Sequence, residues 1–406
     1  MRFTVAPSGF KESLDAPAVA AAIARGIRRV VPGAMVDEIP LVDGGEGSAK
    51  GLAAARGGQI VPITVTGPLG TPVESHFVLL DAHTAALDMS AAAGLRLVPR
   101  THRDPGLTTT YGVGELIKAA LDNGARTLVI GCGDSGTCDG GAGALEALGA
   151  RVLDAAAQPI GRGGYALSAA EKLDMSSIDP RLAETEIIAA VNPYNLLTSV
   201  AKVFAPQKGA TPQQVRALTT AMNQWADVLA GHSGQDLRTA PGSGASGGLG
   251  AGLAGALGAT LKPRFDVLLD HTDLDRKLAE TDLVITAEGA IDHQTPNGKI
   301  PAEVAIRAKR HGKPVIALAG TIGDGARKTY DIGIDAFAGI LAAPVGLTEA
   351  IDHAAELLTD ATERALRLIL LGAAMGEERT PRATPRETPG GTPGQGPAPA
   401  ARHTAM

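Results

Sequence analysis

Strand-like runs alternate with helical patterns at both ends of this chain, and the middle breaks that rhythm. At the start, the apolar run Phe3–Ala6 leads into Ala18, Val19, Ala22, Ile23, Ile27 and Val30 at helical spacing. Ser13 or Asp15 can cap that helix, and Pro17 fits its first turn. Val36–Val42 reads as a second strand. Far downstream the pattern resumes, with strands at Asp282–Thr286, Pro314–Ala319 and Ala336–Leu341. Helices are expected at Ala302–Arg310 and Leu347–Leu371. Two strand–helix units early and three late predict one doubly wound parallel sheet assembled from both chain ends.

The middle has another texture. Ile60–Thr66, Val73–Leu80 and Ala85–Met89 are consecutive strand-like runs joined by Gly and Pro turns, as an antiparallel meander requires. Helical segments follow at Tyr111–Asn123, Gly143–Leu148 and Thr211–Leu229. The expectation is an α/β chain. A doubly wound parallel-sheet domain would cover 1–66 plus 281–372, with a mixed α/β domain, 67–280, inserted. From 373 to 406 the sequence is rich in Thr, Pro and Gly, with Thr-Pro pairs beginning at Thr380, Thr384, Thr388 and Thr392. Too few apolar groups remain there to offset ordering entropy, so the segment is read as a disordered tail.

Composition narrows the function. The longest apolar stretches, such as Ala251–Leu261, fall short of the roughly 18 residues that span a bilayer. No signal-peptide hydrophobic region follows Met1, and Cys132 and Cys138 make no disulfide framework, which together point to the cytoplasm. A net charge of −6 argues against nucleic-acid and acidic-membrane partners.

The 52 glycines are the informative excess. They gather in Asp43–Gly47, Gly131–Gly143, Gly242–Gly250 and Ala287–Gly298, where strands end and helices begin. Glycine there permits positive φ and close approach of a ligand to free amides. One such turn is an ordinary connector; four, each with carboxylates or hydroxyls, point to a phosphate- or nucleotide-handling site. The loops hold Lys11, Asp43, Glu46, Asp134, Ser135, Thr137, Asp139, Gln207, Lys208, Glu288, Asp292 and Lys299. Carboxylates at strand ends can hold Mg²⁺ or accept a hydroxyl proton, and lysines can neutralise phosphate.

Several motifs fail on context. Gly242–Gly247 fits GxGxxG, but the polar Gly234–Pro241 before it contains no strand. His102-Arg103-Asp104 lacks the partners of a protein-kinase loop. No GxxxxGK[ST] exists, Cys132 and Cys138 lack metal-ligand spacing, and Trp225 sits on an apolar helical face as a core residue.

The ordered motifs together resemble the bacterial glycerate kinase family, the two-domain type unrelated to P-loop kinases. Ala6–Leu14 is similar to APDSFKESL and Val42–Gly47 to ADGGEG. Thr110–Ile117 reads TYGVGELI, and Gly131–Leu148 is similar to GIGGSATNDGGAGMLQAL. Phe204–Ala210 is similar to FGPQKGA, Gly242–Gly250 to GAGAAGGLG and Leu283–Lys299 to LVITGEGRIDSQTLHGK. The resemblance runs from Arg2 to about Leu371. It implies a flavodoxin-like domain formed by both chain ends with a mixed domain inserted, and ATP- and Mg²⁺-dependent phosphorylation of D-glycerate to 2- or 3-phosphoglycerate. It also implies catalytic roles for Lys11, Asp43, Asp292 and Lys208, with Glu46 and Glu288 as metal ligands. Ser8, Ser135, Asp139, Asn192, Gln207, Gly242, Gly244, Gly247 and Lys299 would bind substrate or nucleotide. The chain departs from the pattern at Ser8-Gly9, Asp134, Ile188–Asn195 and Ala290. Those departures keep two alternatives in view: a kinase of another small hydroxy acid, and a silent ligand-binding relative.

Overall fold

The structure is a computed structural model that describes residues 1–10, 13–269 and 272–379. Thirteen strands are present among them: β1 Arg2–Val5, β2 Met35–Glu38, β3 Gln59–Thr66, β4 Pro72–Leu79, β5 Thr84–Asp88, β6 Thr127–Gly131 and β7 Arg151–Leu153. The remainder are β8 Lys172–Asp174, β9 Glu186–Val191, β10 Thr260–Pro263, β11 Leu283–Ile291, β12 Val315–Ile322 and β13 Ala336–Gly339.

Five of these form one sheet in the order β13-β12-β11-β1-β2, and every pairing is parallel. Numbered within the sheet, that order is 2-1-3-4-5, the flavodoxin-like arrangement, whose topological switch point lies between β1 and β11. The alternation at the two chain ends therefore did predict this sheet. Its two faces are covered separately. Ile23 and Ile27 of helix Ala16–Val30 and Leu358 and Leu366 of helix Ala354–Arg379 pack on one face. Leu278 and Val304 pack on the other. Asp15 caps the first helix by accepting from the Ala18 amide at 2.8 Å, the cap the sequence offered.

A second sheet, β10-β9-β6-β5-β4-β3, is mixed. β10, β9, β6 and β5 run parallel, while β4 pairs antiparallel with β5 and with β3, as the meander predicted. β3 lies on the outer edge of this sheet, so sheet membership changes after β2 rather than at residue 66. Helix Ser48–Arg56 covers one face through Leu52 and Ala53, beside Val78 and Ala86. Helices Tyr111–Asp122 and Ala245–Leu257 fill the other. Trp225 is buried among Leu218, Met222 and Leu229, and its indole donates 2.9 Å to the Gly140 carbonyl.

Two expectations at the C-terminus change. The long helix from Leu347 is two helices, Leu347–Asp352 and Ala354–Arg379, meeting at His353. The second continues to Arg379, past the expected start of the tail, and the Thr-Pro segment from residue 380 lies outside the described residues. No helix among the described residues is long and apolar enough to cross a membrane.

Candidate active site

The C-terminal ends of the two parallel arrays meet at the loop Asp43–Gly47, which follows β2. Gly44 and Gly45 lie on the rim of the second sheet. A Cβ on Gly133 would stand 2.6 Å from the Gly45 nitrogen, and one on Gly131 would stand 2.8 Å from the Gly44 carbonyl. Glycines on both sides are what allow the loops of different sheets to touch backbone to backbone.

Four carboxylates collect there. The Asp43 carboxylate accepts from the Gly45 amide at 3.2 Å, and Asp134 accepts from the Glu46 amide at 3.2 Å. A Cβ on Gly45 would stand 2.2 Å from Asp134 Oδ2 and 3.0 Å from Asp43 Oδ1. Glu46 is exposed and pairs with Arg96 at 2.5 Å. Asp88, at the end of β5 and 2% exposed, accepts from the Gly47 and Ala49 amides at 3.0 and 2.9 Å. It thereby satisfies two free amides at the start of helix Ser48–Arg56. Burial pushes the Asp88 carboxyl up to about 8; the two amides pull the other way, and the charges of Asp43 and Asp134 add to the rise.

Arg264, just past β10 and 8% exposed, binds this group to the first sheet. Its Nη1 donates to the Asp43 carbonyl at 2.8 Å and lies 3.4 Å from Asp43 Oδ2, while Nη2 donates to the Gly298 carbonyl at 2.5 Å. Asn192 makes a second link, donating to the Asn297 carbonyl at 2.9 Å.

At the switch point, the Ser8 amide and hydroxyl both donate to the Ala287 carbonyl, at 2.9 and 3.1 Å. Lys299 Nζ lies 3.6 Å from Glu288 Oε1 and 3.5 Å from Asp292 Oδ1, so one ammonium stands between two carboxylates. Lys208 is buried on the other side of the Gly131 loop, 4% exposed, donating to Ser135 Oγ at 2.8 Å and to the Thr137 carbonyl at 2.6 Å. Gln207 beside it is exposed. Lys11 lies outside the described residues.

Two further groups of predicted residues have internal roles in the fold. Asp139, 1% exposed, accepts from the Thr110 amide and hydroxyl and from the Gly141 and Gly143 amides. It joins two helix starts, and burial pushes its carboxyl upward. Gly242, Gly244 and Gly247 are buried in packing. A Cβ would meet the Val191 side chain at 2.2 Å, the Leu196 carbonyl at 2.3 Å and the Thr137 carbonyl at 2.0 Å respectively. The amides of Gly242 and Gly244 are also taken, by the Pro193 and Asn195 carbonyls. At each of these three positions close packing leaves no room for a Cβ. Left-handed backbone at Asp134 (φ 50°) and Ser246 (φ 53°) places in these glycine-rich segments two of the three non-glycine residues of that kind among the described residues. Each costs on the order of 1–3 kcal/mol, a cost found most often at functional sites.

Asp88 and Arg264 were missed in the sequence. Asp88 ends a recognisable strand, which was a usable signal. Arg264 carries no local signal, because its partner is 221 residues away.

This arrangement can be set beside known proteins. The model of the glycerate kinase family matches residues 3–370. The chain belongs to that family. It is 45% identical over 362 residues to the glycerate kinase of Bacillus subtilis (strain 168), covering 88% of this chain and 95% of that one. It is 39% identical over 376 residues to the glycerate 2-kinase of Escherichia coli (strain K12), covering 92% and 99%. The crystal structure of a putative glycerate kinase 2 from Salmonella typhimurium LT2 superposes with a TM-score of 0.73 at 40% identity, over 92% of this chain and 99% of that one. Membership in the glycerate kinase family makes the chain a phosphotransferase with an alcohol acceptor and implies ATP as donor.

Proposed function

We propose that this chain is a cytoplasmic glycerate kinase that moves the γ-phosphoryl group of ATP to a hydroxyl of D-glycerate. The observation that carries the reading is the convergence of Asp43, Asp134, Glu288, Asp292, Lys299 and Arg264 where the strand ends of both sheets meet. The name of the Escherichia coli relative favours the 2-hydroxyl, giving 2-phosphoglycerate and ADP.

Phosphoryl transfer asks mainly for positioning and charge neutralisation. Asp43, held by Arg264 in the same loop as Glu46 and Gly47, orients the acceptor hydroxyl and takes its proton as the oxygen attacks phosphorus. Lys208, Lys299 and Lys11 offset phosphate charge, with the Ser135 hydroxyl beside Lys208 as a further donor. Among the described residues no three His, Cys, Asp or Glu side chains form a cation cage. Glu288 and Asp292 nevertheless fit Mg²⁺, because they are oxygen donors already arranged around a cation. Two carboxylates completed by nucleotide phosphates are a usual Mg²⁺ environment. The ion would supply charge neutralisation on the phosphates. Glu46 serves the loop through Arg96. The two sheets would act as separate bodies that close to exclude water.

A coupled assay of ADP release with D-glycerate and a panel of small hydroxy acids tests the reading. Release with D-glycerate above the other acids is expected. Preference for another acid would make the chain a kinase of that acid, and ATP binding without release would make it a silent relative.

A further inference from the structure

The Asp43–Gly47 loop begins the crossing from the first sheet to the second, since β2 belongs to one and β3 to the other. Its glycines suggest an open cradle of amides, yet every amide from Gly45 to Ala49 already has an acceptor. Gly45 donates to the Asp43 carboxylate and Glu46 to Asp134. The Ser48 amide donates to the Gly45 carbonyl at 3.2 Å. On either side of it, the Gly47 and Ala49 amides both donate to Asp88. Carboxylates therefore fill the places an anionic ligand would take, and the loop is held by the protein rather than built to hold phosphate.

Asp88 holds it from outside. It is the last residue of β5, inside the second sheet, and its two partners lie 41 and 39 residues earlier in the chain. A helix start is ordinarily capped by the side chain of the residue just before it. For helix Ser48–Arg56 that residue is Gly47, with φ 87° and no side chain to offer, and Asp88 supplies the cap from the sheet. In the pairing of β5 with β6, Asp88 stands opposite Gly131. A Cβ on Gly131 would lie 3.1 Å from Asp88 Oδ1, so glycine there leaves the carboxylate room to turn toward the loop. Gly47 is four positions from Asp43, whose main-chain oxygen Arg264 holds. A loop this short, fixed at both ends, passes a displacement of one end to the other.

We infer that Asp88 is a positioning residue for phosphoryl transfer: from the end of β5 it fixes the Gly47 end of the loop and so sets where the Asp43 carboxylate stands against the acceptor hydroxyl. This role rests on the kinase reading above, in which Asp43 takes the hydroxyl proton. Asp88 itself touches neither substrate nor the reacting atoms. It acts through Asp43, and that separates it from a cap that serves the helix alone.

The test is a double-mutant cycle on the full chain, with the parent, Asp88→Asn, Asp43→Asn and the variant carrying both, assayed with ATP, Mg²⁺ and D-glycerate. Asp88→Asn keeps one acceptor oxygen and loses the other. It is expected to lower kcat roughly 10- to 100-fold, the scale of a displaced reacting group, with KM for ATP within about twofold of the parent. In the Asp43→Asn background the same substitution is expected to cost less than about threefold, because the carboxylate it positions is already gone. Equal factors in the two backgrounds, as a purely structural cap would give, overturn the role and leave the kinase reading standing. So does an Asp88→Asn kcat within about twofold of the parent. A parent that transfers no phosphoryl group to D-glycerate overturns the kinase reading and the role together. If Asp88→Asn does not fold, hydrogen exchange in the parent decides. Protection of the Gly47 and Ala49 amides that increases when ADP and D-glycerate are bound supports the role, and protection that is absent or unchanged by them overturns it.

Discussion

Arg264 holds Asp43 at two points, donating to its main-chain oxygen at 2.8 Å and lying 3.4 Å from its carboxylate. Its other nitrogen reaches the Gly298 carbonyl at 2.5 Å. One guanidinium thus fixes a loop of the first sheet, the edge of the second, and the loop after β11. The planar fork of arginine suits this three-way contact, which a lysine ammonium cannot reproduce.

Removing that clamp should disturb position more than stability at the substrates. Arg264→Ala is expected to lower kcat/KM about 10- to 100-fold, the scale of a misplaced catalytic group. Arg264→Lys should fall between, because charge returns without the fork. Steady-state kinetics of both variants checks this. Equal activity of Arg264→Ala and the parent would remove Arg264 from the account.

The two loop aspartates should separate kinetically. Asp43→Asn is expected to reduce kcat by roughly 10²–10⁴-fold, the range for loss of a general base. Asp292→Asn should instead raise the Mg²⁺ concentration needed for half-maximal rate, since it removes the negative charge of one of the two carboxylates near Lys299. Titrating Mg²⁺ against rate for both variants distinguishes them. The reverse pattern would exchange their roles.

Two glycines offer a matched test of why the chain holds so many. Gly247 has φ +70°, and a Cβ there would lie 2.0 Å from the Thr137 carbonyl. Gly247→Ala should lose at least ~1–2 kcal/mol from backbone strain alone, with the clash in addition. Gly231 lies in helix Pro212–Ser233 with nothing within 4 Å of an added Cβ. Gly231→Ala should gain roughly 0.5–1 kcal/mol. Urea unfolding of the two variants measures both signs.

Asp88 should leave a mark on stability as pH changes. Its carboxyl rises from the ordinary 3.8 to about 8, chiefly through burial. Below about pH 4 the group is neutral in both the folded and unfolded chain. Between there and about pH 8 the unfolded chain has released the proton that the folded chain keeps, so stability falls with rising pH. Melting temperatures from pH 6 to 8.5 should therefore decline more steeply in the parent than in Asp88→Asn, which keeps an acceptor oxygen but cannot ionise. Parallel curves would contradict this.

Much of the scaffold was legible in the sequence because its signals are local. The alternation at the chain ends predicted β1, β2, β11, β12 and β13, and Asp15 with Pro17 marked the first helix start. β9 was not read as a strand. Ile187–Val191 is a short, continuous apolar run, and periodicity cannot separate such a run from buried helix. Within the site, Asp43, Glu288, Asp292 and Lys299 were visible as charged residues in glycine-rich loops. Arg264 and Arg96 were not, since their significance comes only from what the fold brings beside them. The glycine run Gly242–Gly250 was read as a phosphate cradle, but it also has a packing explanation, which no single sequence displays.

Phosphorus NMR of the purified chain with ATP, Mg²⁺ and D-glycerate tests phosphoryl transfer from ATP to glycerate directly. A phosphomonoester resonance of 2-phosphoglycerate is expected to grow one-for-one with ADP, with no matching growth of inorganic phosphate. ADP accompanied only by inorganic phosphate, or ATP left unchanged, would contradict it.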